Sequence, residues 1–397
     1  MKTLYEHGWI LTMDEDMRAF RDGWLLTDGA DIAAVGEGEY AGACDARVDL
    51  RGGILFPGFV NTHCHASMVP FRSMGDDCPD RLRRFLFPLE NEAMTRELVY
   101  LGETIIGQPT CDSPRPYGGF DLAERMLETY RGDDLVRPIL APHGTTTCDE
   151  ASLRRAHALA CRYDTLMTLH ASEMDYEMEH FARMGTTPTG YLHQIGALDA
   201  HMLAAHCIHL TDGDVALLAG SGASVAHCIG SNTKAGKGVA PVAALAKAGV
   251  PFGLGTDGPS SGNTLSMFDQ MRLFAVSHKT ANHDRSLFPA AQIVAAATRG
   301  GARALHAQKE FGMLKPGMRA DFAVVRTDSL HMFPVYNPYS ALVYSANASD
   351  VTMTVAGGVA RVMDGKLTQL DERAVMEALR EKLGHFMQAA SQYKDMI

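Results

Sequence analysis

Basic residues are in short supply. The chain has 36 Lys and Arg against 47 Asp and Glu, a net charge of −11 over 397 residues. With no surplus of cations to neutralise phosphates, nucleic acid, anionic membrane and heparin are not expected as main partners. The one basic run, Arg81-Leu82-Arg83-Arg84, reads as a solvated helix face. No apolar stretch reaches 18 residues, so no membrane-spanning helix is expected. The eight cysteines are scattered and form no C-x-x-C pair, which excludes a zinc ribbon and a thioredoxin-type motif. The first apolar run, Trp9-Ile10-Leu11, is too short for a secretory leader. Reduced thiols in a cytoplasm are therefore expected. Phosphate-cradling G-x-G-x-x-G and P-loop patterns are missing, as are the G-x-S-x-G elbow and the H-x-E…P-C-x-x-C signature of small zinc deaminases.

What is present is a β-rich texture at both ends and a different texture between them. "GWILTMD", "DGWLLTDGADIAAVG" and "ARVDLRGGILFPG" alternate apolar and polar residues around Asp-Gly and Gly-Gly turns, and "GMRADFAVVRTD" and "DVTMTVAGGVARVMDGKL" repeat the pattern near the other end. Residues 1–56 with 312–370 are expected to form one small β-sandwich. Residues 371–397 are expected to carry a terminal helix, since 371–393 have helical spacing and an acidic first turn. The middle, 57–311, alternates apolar strands with helical stretches. "PILAPHG", "DTLMTLHASE", "HMLAAHCIHL", "GASVAHCIG" and "GVPFGLGTDG" are the strands, and "DEASLRRAHALACRY" is one of the helices. Repeated βα units of this kind build a parallel sheet. The expected fold is α/β, a (β/α)8 TIM-type barrel carrying the sandwich, with a doubly wound sheet as the alternative.

The strand ends carry the chemistry. "GFVNTHCHASM" holds His63 and His65, but 17 histidines in 397 residues supply an H-x-H pair by chance about 0.7 times. Other strands end in His143, His170 with Glu173, His206 with His209, and Asp257. In a barrel the C-terminal ends of all strands meet at one face. His63 and His65 point the same way, because alternate residues of a strand share a face. With His170 and Asp257 they make three nitrogens and a carboxylate, enough for one divalent ion with an open position. Such an ion lowers the pKa of its water from 15.7 toward roughly 7. Glu173 is placed to move protons at the substrate, and Asp257 to take one from the water while remaining a ligand. His206 is placed to hydrogen-bond that water or a developing oxyanion. His180 and His193 are expected at the surface.

"PGFVNTHCHASM", "LHASE", "AAHCIHL", "GSNTKAGKGVAPV" and "GLGTDGPSSGNTLSMFDQMR" together resemble the amidohydrolase superfamily. The branch they resemble holds S-adenosylhomocysteine/methylthioadenosine deaminases, guanine and cytosine deaminases and chlorotriazine hydrolases. The resemblance covers nearly the whole chain. It implies a single-metal barrel with His63, His65, His170 and Asp257 as ligands, Glu173 as proton shuttle and His206 on the water. It implies zinc, with Fe2+ or Mn2+ as alternatives. His143, at the place where two-metal relatives carry a lysine, is consistent with one ion. His143 and Ser261 match positions that contact the purine, and Glu90 in "FPLE" matches one that contacts ribose hydroxyls. His209 stands as a further candidate substrate contact.

The expected function is a metal-dependent hydrolytic deaminase of an aminated purine, nucleoside or related N-heterocycle. Metal-bound hydroxide attacks and ammonia leaves. A triazine-type dechlorinase or deaminase, or a guanine or pterin deaminase, is the alternative on the same site, and a non-enzymatic scaffold is the reading from another class. A small heterocyclic substrate and a homo-oligomer, dimer or tetramer, are the expected partners. Three features depart from the family. Glu103 stands where S-adenosylhomocysteine deaminases tend to carry an arginine for the amino-acid carboxylate, and suits an amino, amidine or hydroxyl group better. The tryptophan common in the loop after the first histidines is missing. The second barrel strand is also missing between "NEAMTRELVY" and "LGETIIG", a gap of roughly 40 residues that predicts a break at Tyr100–Leu101.

Overall fold

Alternating sequences from both ends of the chain hydrogen-bond into one sheet path. The computed structural model describes residues 1–94 and 117–396. Glu103 and the expected break at Tyr100–Leu101 lie outside the described residues. The first strands are β1 (Lys2–Leu11), β2 (Ala19–Asp28), β3 (Asp31–Glu37), β4 (Ala46–Asp49) and β5 (Ile54–Pro57). Four later strands close the set, namely β10 (Phe322–Val325), β11 (Val351–Ala356), β12 (Val359–Met363) and β13 (Lys366–Leu367). Their order is β13-β12-β11-β10-β5-β1-β2-β3, with β4 paired to β1. The two ends of the chain join where β5 pairs antiparallel with β10, Leu55 opposite Val324.

β1 is what turns this path into a sandwich. It pairs with β4 at Thr3–Glu6 and with β5 at Trp9–Ile10, and its register with β2 shifts on both sides of Gly8. His7, at φ 62°, sits in the left-handed region at the bend. A bulge of this kind lets one strand serve both layers. Gly8 is required there, because a Cβ would lie 2.6 Å from the Gly53 carbonyl oxygen. Tyr5, Ile10, Leu25, Leu55, Phe322 and Val355 fill the space between the layers.

The middle of the chain supplies parallel strands, β6 (Met167–Ala171), β7 (Met202–His206), β8 (Ser224–His227) and β9 (Phe252–Leu254), in sequential order. Every residue of β7 and β8 is buried, as near-continuous apolar strands of a parallel sheet require. Residues 140–144 extend the arc beside β6 through bridges Leu140–Met167 and Gly144–His170. On the far side the Asp257 amide donates to the His63 carbonyl at 3.0 Å. Helices Glu150–Tyr163, Asp175–Arg183, Asp212–Ser221 and Val242–Lys247 cover the strands. Asp149 caps the first of them by accepting from the Ser152 amide. The architecture is α/β, a (β/α) barrel unit and a β-sandwich unit. Among the described residues no helix is long and apolar enough to cross a membrane.

The chain divides into two compact units, Met1–Thr62 with Ser266–Val375, and His63–Leu265 with Met376–Ile397. Residues 57–62 and 266–311, grouped with the barrel on sequence, fall in the first unit. The Val60 amide donates to the Ala297 carbonyl, and Gly301 approaches Val60 so closely that a Cβ would sit 2.7 Å from the Val60 Cβ. The terminal helix runs Glu372–Ala390, and its Phe386 and Ala390 are buried with Phe71, Phe85 and Leu89 of the second unit. Arg81 departs from the expected solvated face. Its guanidinium turns inward and donates to the Met74 carbonyl at 2.9 and 2.7 Å.

Candidate active site

His63 and His65 lie on a bent segment beyond β5 that is not itself a regular strand, since the pairing with β10 ends at Pro57 opposite Phe322. Alternation still sends both rings the same way. The His65 Nε2 is 3.1 Å from His63 Nε2 and 3.2 Å from His170 Nε2. Asp257 brings its Oδ1 to 3.5 Å from His65 Nε2 and 3.9 Å from His63 Nε2. An ion bound tetrahedrally by nitrogens at 2.0–2.1 Å holds them about 3.3 Å apart. The donors therefore already stand close to the edges of one coordination shell.

The surroundings set the charge states that a cation needs. His63 is pushed well below the usual imidazole range, by burial first and then by His65 and His170. Burial and the neighbouring His143 lower His170 to about 3. His143 falls to about 4 for the same first reason, with His65 adding to it. Neutral imidazoles are ligands; imidazolium is not. Asp257 moves the other way. Burial alone would raise it, but His206, His65, His63 and His170 outweigh that and hold it ionised. The His170 Nδ1 donates to the His143 carbonyl at 2.5 Å, which leaves Nε2 unprotonated and aimed at the cluster.

His206 ends β7 and is fully buried. Its Nδ1 pairs with Asn232 Oδ1 at 2.8 Å, and its Nε2 faces the cluster with no hydrogen-bond partner among the described residues. A buried nitrogen without a partner is costly and implies a missing group beside it. The three histidine nitrogens, the ionised carboxylate and this orphaned nitrogen together fit a bound divalent ion. Glu173 approaches His206, with Oε1 3.7 Å from Nε2, and pairs with Lys237 Nζ at 2.5 Å. Burial would raise its carboxyl, but His206 and Lys237 outweigh burial and bring it down to about 2.

Backbone strain gathers at these strand ends. Ser172 (φ 52°), His206 (φ 70°), Cys207 (φ 49°) and Asp257 (φ 57°) all occupy the left-handed region. Each costs about 1–3 kcal/mol and persists only where its surroundings hold it. Glu177 holds the first of these turns. Its buried carboxylate accepts from the Ser172 and Glu173 amides at 3.0 and 2.8 Å and from the Thr145 hydroxyl. Gly255 permits the closest approach, since a Cβ there would lie 3.0 Å from the His63 Cβ and 2.9 Å from Cys228 Sγ.

The structure thus brings His63, His65, His170, His206, Glu173 and Asp257 into one cluster. His143 stands beside it, its ring 4.8 Å from that of His170 and 5.5 Å from that of Phe87, with Nδ1 2.8 Å from Thr147 Oγ1. Glu90 is half-buried one turn after Phe87 on the helix Phe87–Ala93, and burial raises its carboxyl. Ser261 is half-buried in the short turn Pro259–Gly262. His209 is turned to the exposed Asp175 carboxylate at 3.7 Å instead. His180 and His193 are exposed. Lys237, Asn232 and Glu177 were not singled out from the sequence. The only signals were the two lysines of "GSNTKAGKG" in an acidic chain and the spacing of an acidic helix cap.

Residues 120–361 match the Amidohydrolase family. A 5-methylthioadenosine/S-adenosylhomocysteine deaminase of Syntrophobacter fumaroxidans is 34% identical, over 95% of this chain and 96% of that one. A 5'-deoxyadenosine deaminase of Methanothermobacter thermautotrophicus is 34% identical over 87% of this chain and 90% of its own length. An adenosine deaminase from Xanthomonas campestris, solved with bound zinc, superposes with a TM-score of 0.93 at 27% identity, covering 97% of this chain and 98% of that one. An atrazine chlorohydrolase from Arthrobacter aurescens shares the fold, with a TM-score of 0.82 at 20% identity over 97% of this chain and 100% of that one.

Proposed function

This chain belongs to the amidohydrolase family, and on that premise we propose that it hydrolytically deaminates the purine of an adenosine-type nucleoside, releasing ammonia. The observation that carries the reading is the convergence of the His63, His65 and His170 Nε2 atoms with the Asp257 carboxylate, beside the unpartnered Nε2 of His206. His63, His65, His170 and Asp257 would hold one divalent ion, zinc by analogy with the Xanthomonas enzyme. When bound, the ion supplies Lewis acidity and a water acidic enough to attack at neutral pH.

The remaining steps belong to the chain's own groups. Asp257, held ionised, accepts the proton of the attacking water. His206 is braced by Asn232 and directs Nε2 at the oxygen being added to the ring carbon. Glu173 carries protons to the ring nitrogen and then to the departing amine. Lys237 pairs with Glu173 until the ring takes its place beside the carboxylate. His143 and Ser261 would contact the purine and Glu90 the ribose hydroxyls. Glu103, from its residue type, favours substrates presenting an amino, amidine or hydroxyl group over one presenting an amino-acid carboxylate. A cytoplasmic setting belongs to the same proposal, supported by the cysteines of the described residues, all of which are free. So does a homo-oligomeric assembly.

The test is ammonia release from adenosine, 5'-deoxyadenosine, methylthioadenosine and S-adenosylhomocysteine, with aminotriazines and chlorotriazines as controls. Glu173→Gln is expected to lower kcat by about 10²–10⁴-fold while the metal content stays unchanged. Full activity of that variant would remove the proton shuttle. Chloride release without ammonia would move the substrate to the triazines.

A further inference from the structure

A second group of metal-binding side chains lies at the other ends of the same strands. His157 and Cys161 stand one turn apart on the helix Glu150–Tyr163, so their side chains leave the same face. Asp199 and His201 lie in the turn that leads into β7, whose far end carries His206. A strand of this length spans about 16 Å from residue 201 to residue 206. The group is therefore separate from the histidine cluster at the C-terminal strand ends.

The distances are those of a coordination shell. The Cys161 Sγ is 3.6 Å from His157 Nε2, 3.7 Å from His201 Nδ1 and 3.9 Å from Asp199 Oδ2. The His157 Nε2 is 3.0 Å from Asp199 Oδ2, and His201 Nδ1 is 3.4 Å from Asp199 Oδ1. A tetrahedral zinc-type ion places S···N and S···O pairs about 3.6 Å apart and N···O pairs about 3.4 Å apart. A thiol has one hydrogen and can satisfy one acceptor, yet three nitrogen and oxygen atoms crowd this sulfur. The His157, Cys161 and Asp199 donor atoms all lie within 4.8 Å of one another.

The supporting contacts also match. Asp164, the left-handed cap of the helix (φ 50°), places Oδ1 3.5 Å from His201 Nε2. A carboxylate on the outer ring nitrogen directs the inner one, Nδ1, to the sulfur. The Asp199 Oδ1 accepts from the His201 amide at 2.8 Å, which fixes the turn.

We propose that His157, Cys161 and Asp199, with His201 beside the sulfur and the carboxylate, form a second site, for a borderline-soft divalent ion of the zinc class, that clamps the end of helix Glu150–Tyr163 to the turn before β7. Binding releases the Cys161 thiol proton to solvent and forms a metal–sulfur bond. Three donors already stand within reach of one ion, and a turn of the His201 ring toward it would close the shell, which makes the site a structural one.

The test loads the full chain with cobalt(II) and measures metal per chain by elemental analysis, together with the near-ultraviolet thiolate-to-cobalt absorption. The wild type is expected to hold two ions and show the absorption. Cys161→Ser should hold one, lose the absorption and keep turnover within about twofold of wild type. The double variant His65→Ala/His170→Ala should hold one ion and keep the absorption, which separates this site from the proposed catalytic one. Equal metal content in wild type and Cys161→Ser, or an absorption that survives loss of Cys161, would overturn the proposal.

Discussion

Lys237 is the residue whose contribution is easiest to isolate. It faces a buried carboxylate at 2.5 Å and holds it ionised against the pull of burial. Replacing it with methionine keeps the length of the stem and removes the cation. Burial then acts on Glu173 with less opposition, and its pKa rises. The Lys237→Met variant is expected to keep its metal, lose about 10-fold to 100-fold in kcat/KM, and show a Glu173-linked pKa moved upward in the pH profile. An unchanged profile would mean that the pair has no part in setting the carboxylate. Lys237 also marks where reading by residue type falls short. His63, His65, His170 and Asp257 could be singled out because strand periodicity and the common face of a barrel predict where a strand end points. Asn232 lies in the short helix Ile229–Lys234 after β8 and Lys237 just beyond it, and their aim depends on the path of that segment. No spacing rule supplies that path.

At the scale of elements, the strands and helices of the middle were legible because a buried parallel strand reads as an apolar run. The sandwich was legible in its parts but not in its joint. Nothing in "EHGWI" shows that β1 bends at His7 and serves two layers, since that depends on partners more than 30 residues away. The helix Met267–Ala281 carries a further consequence of burial. His278 is 1% exposed, and its ring lies 4.4 Å from that of Phe274 and 5.7 Å from that of Phe288. Burial lowers its pKa from 6.5 to about 4. The unfolded chain therefore binds the extra proton between those values, and stability contributed above pH 6.5 is lost as pH falls toward 4. The slope is at most about 1.4 kcal/mol per pH unit. Denaturant midpoints measured from pH 7 to pH 4 should fall less steeply in His278→Phe than in wild type. Parallel curves would assign the acid sensitivity elsewhere.

For the whole molecule, the proposed ligand set ties together stretches that are far apart in sequence. His63 and His65 come from one segment, His170 from the end of β6, and Asp257 from beyond β9. An ion bound only by the folded arrangement stabilises it by mass action, about 2.7 kcal/mol at a hundredfold excess over Kd. Chelation is expected to lower Tm and restored zinc to raise it with a logarithmic dependence on free zinc. A Tm indifferent to zinc would count against a preformed site. The second unit is also where the sequence was least legible, because the run from "NEAMTRELVY" to "LGETIIG" has no recognisable βα unit to place.

The carboxyl-terminal helix bears on how the enzyme can be handled. Phe386 meets Phe71 with ring centroids 4.8 Å apart, and Phe71 follows His65 by six residues. The helix Glu372–Ala390 is thus a wedge under the segment that leaves the first histidines. A purification tag or fused partner at that end pulls on the wedge, so its effect would surface as altered turnover before any loss of yield. Immobilisation and labelling belong at the other terminus, where Met1 is exposed.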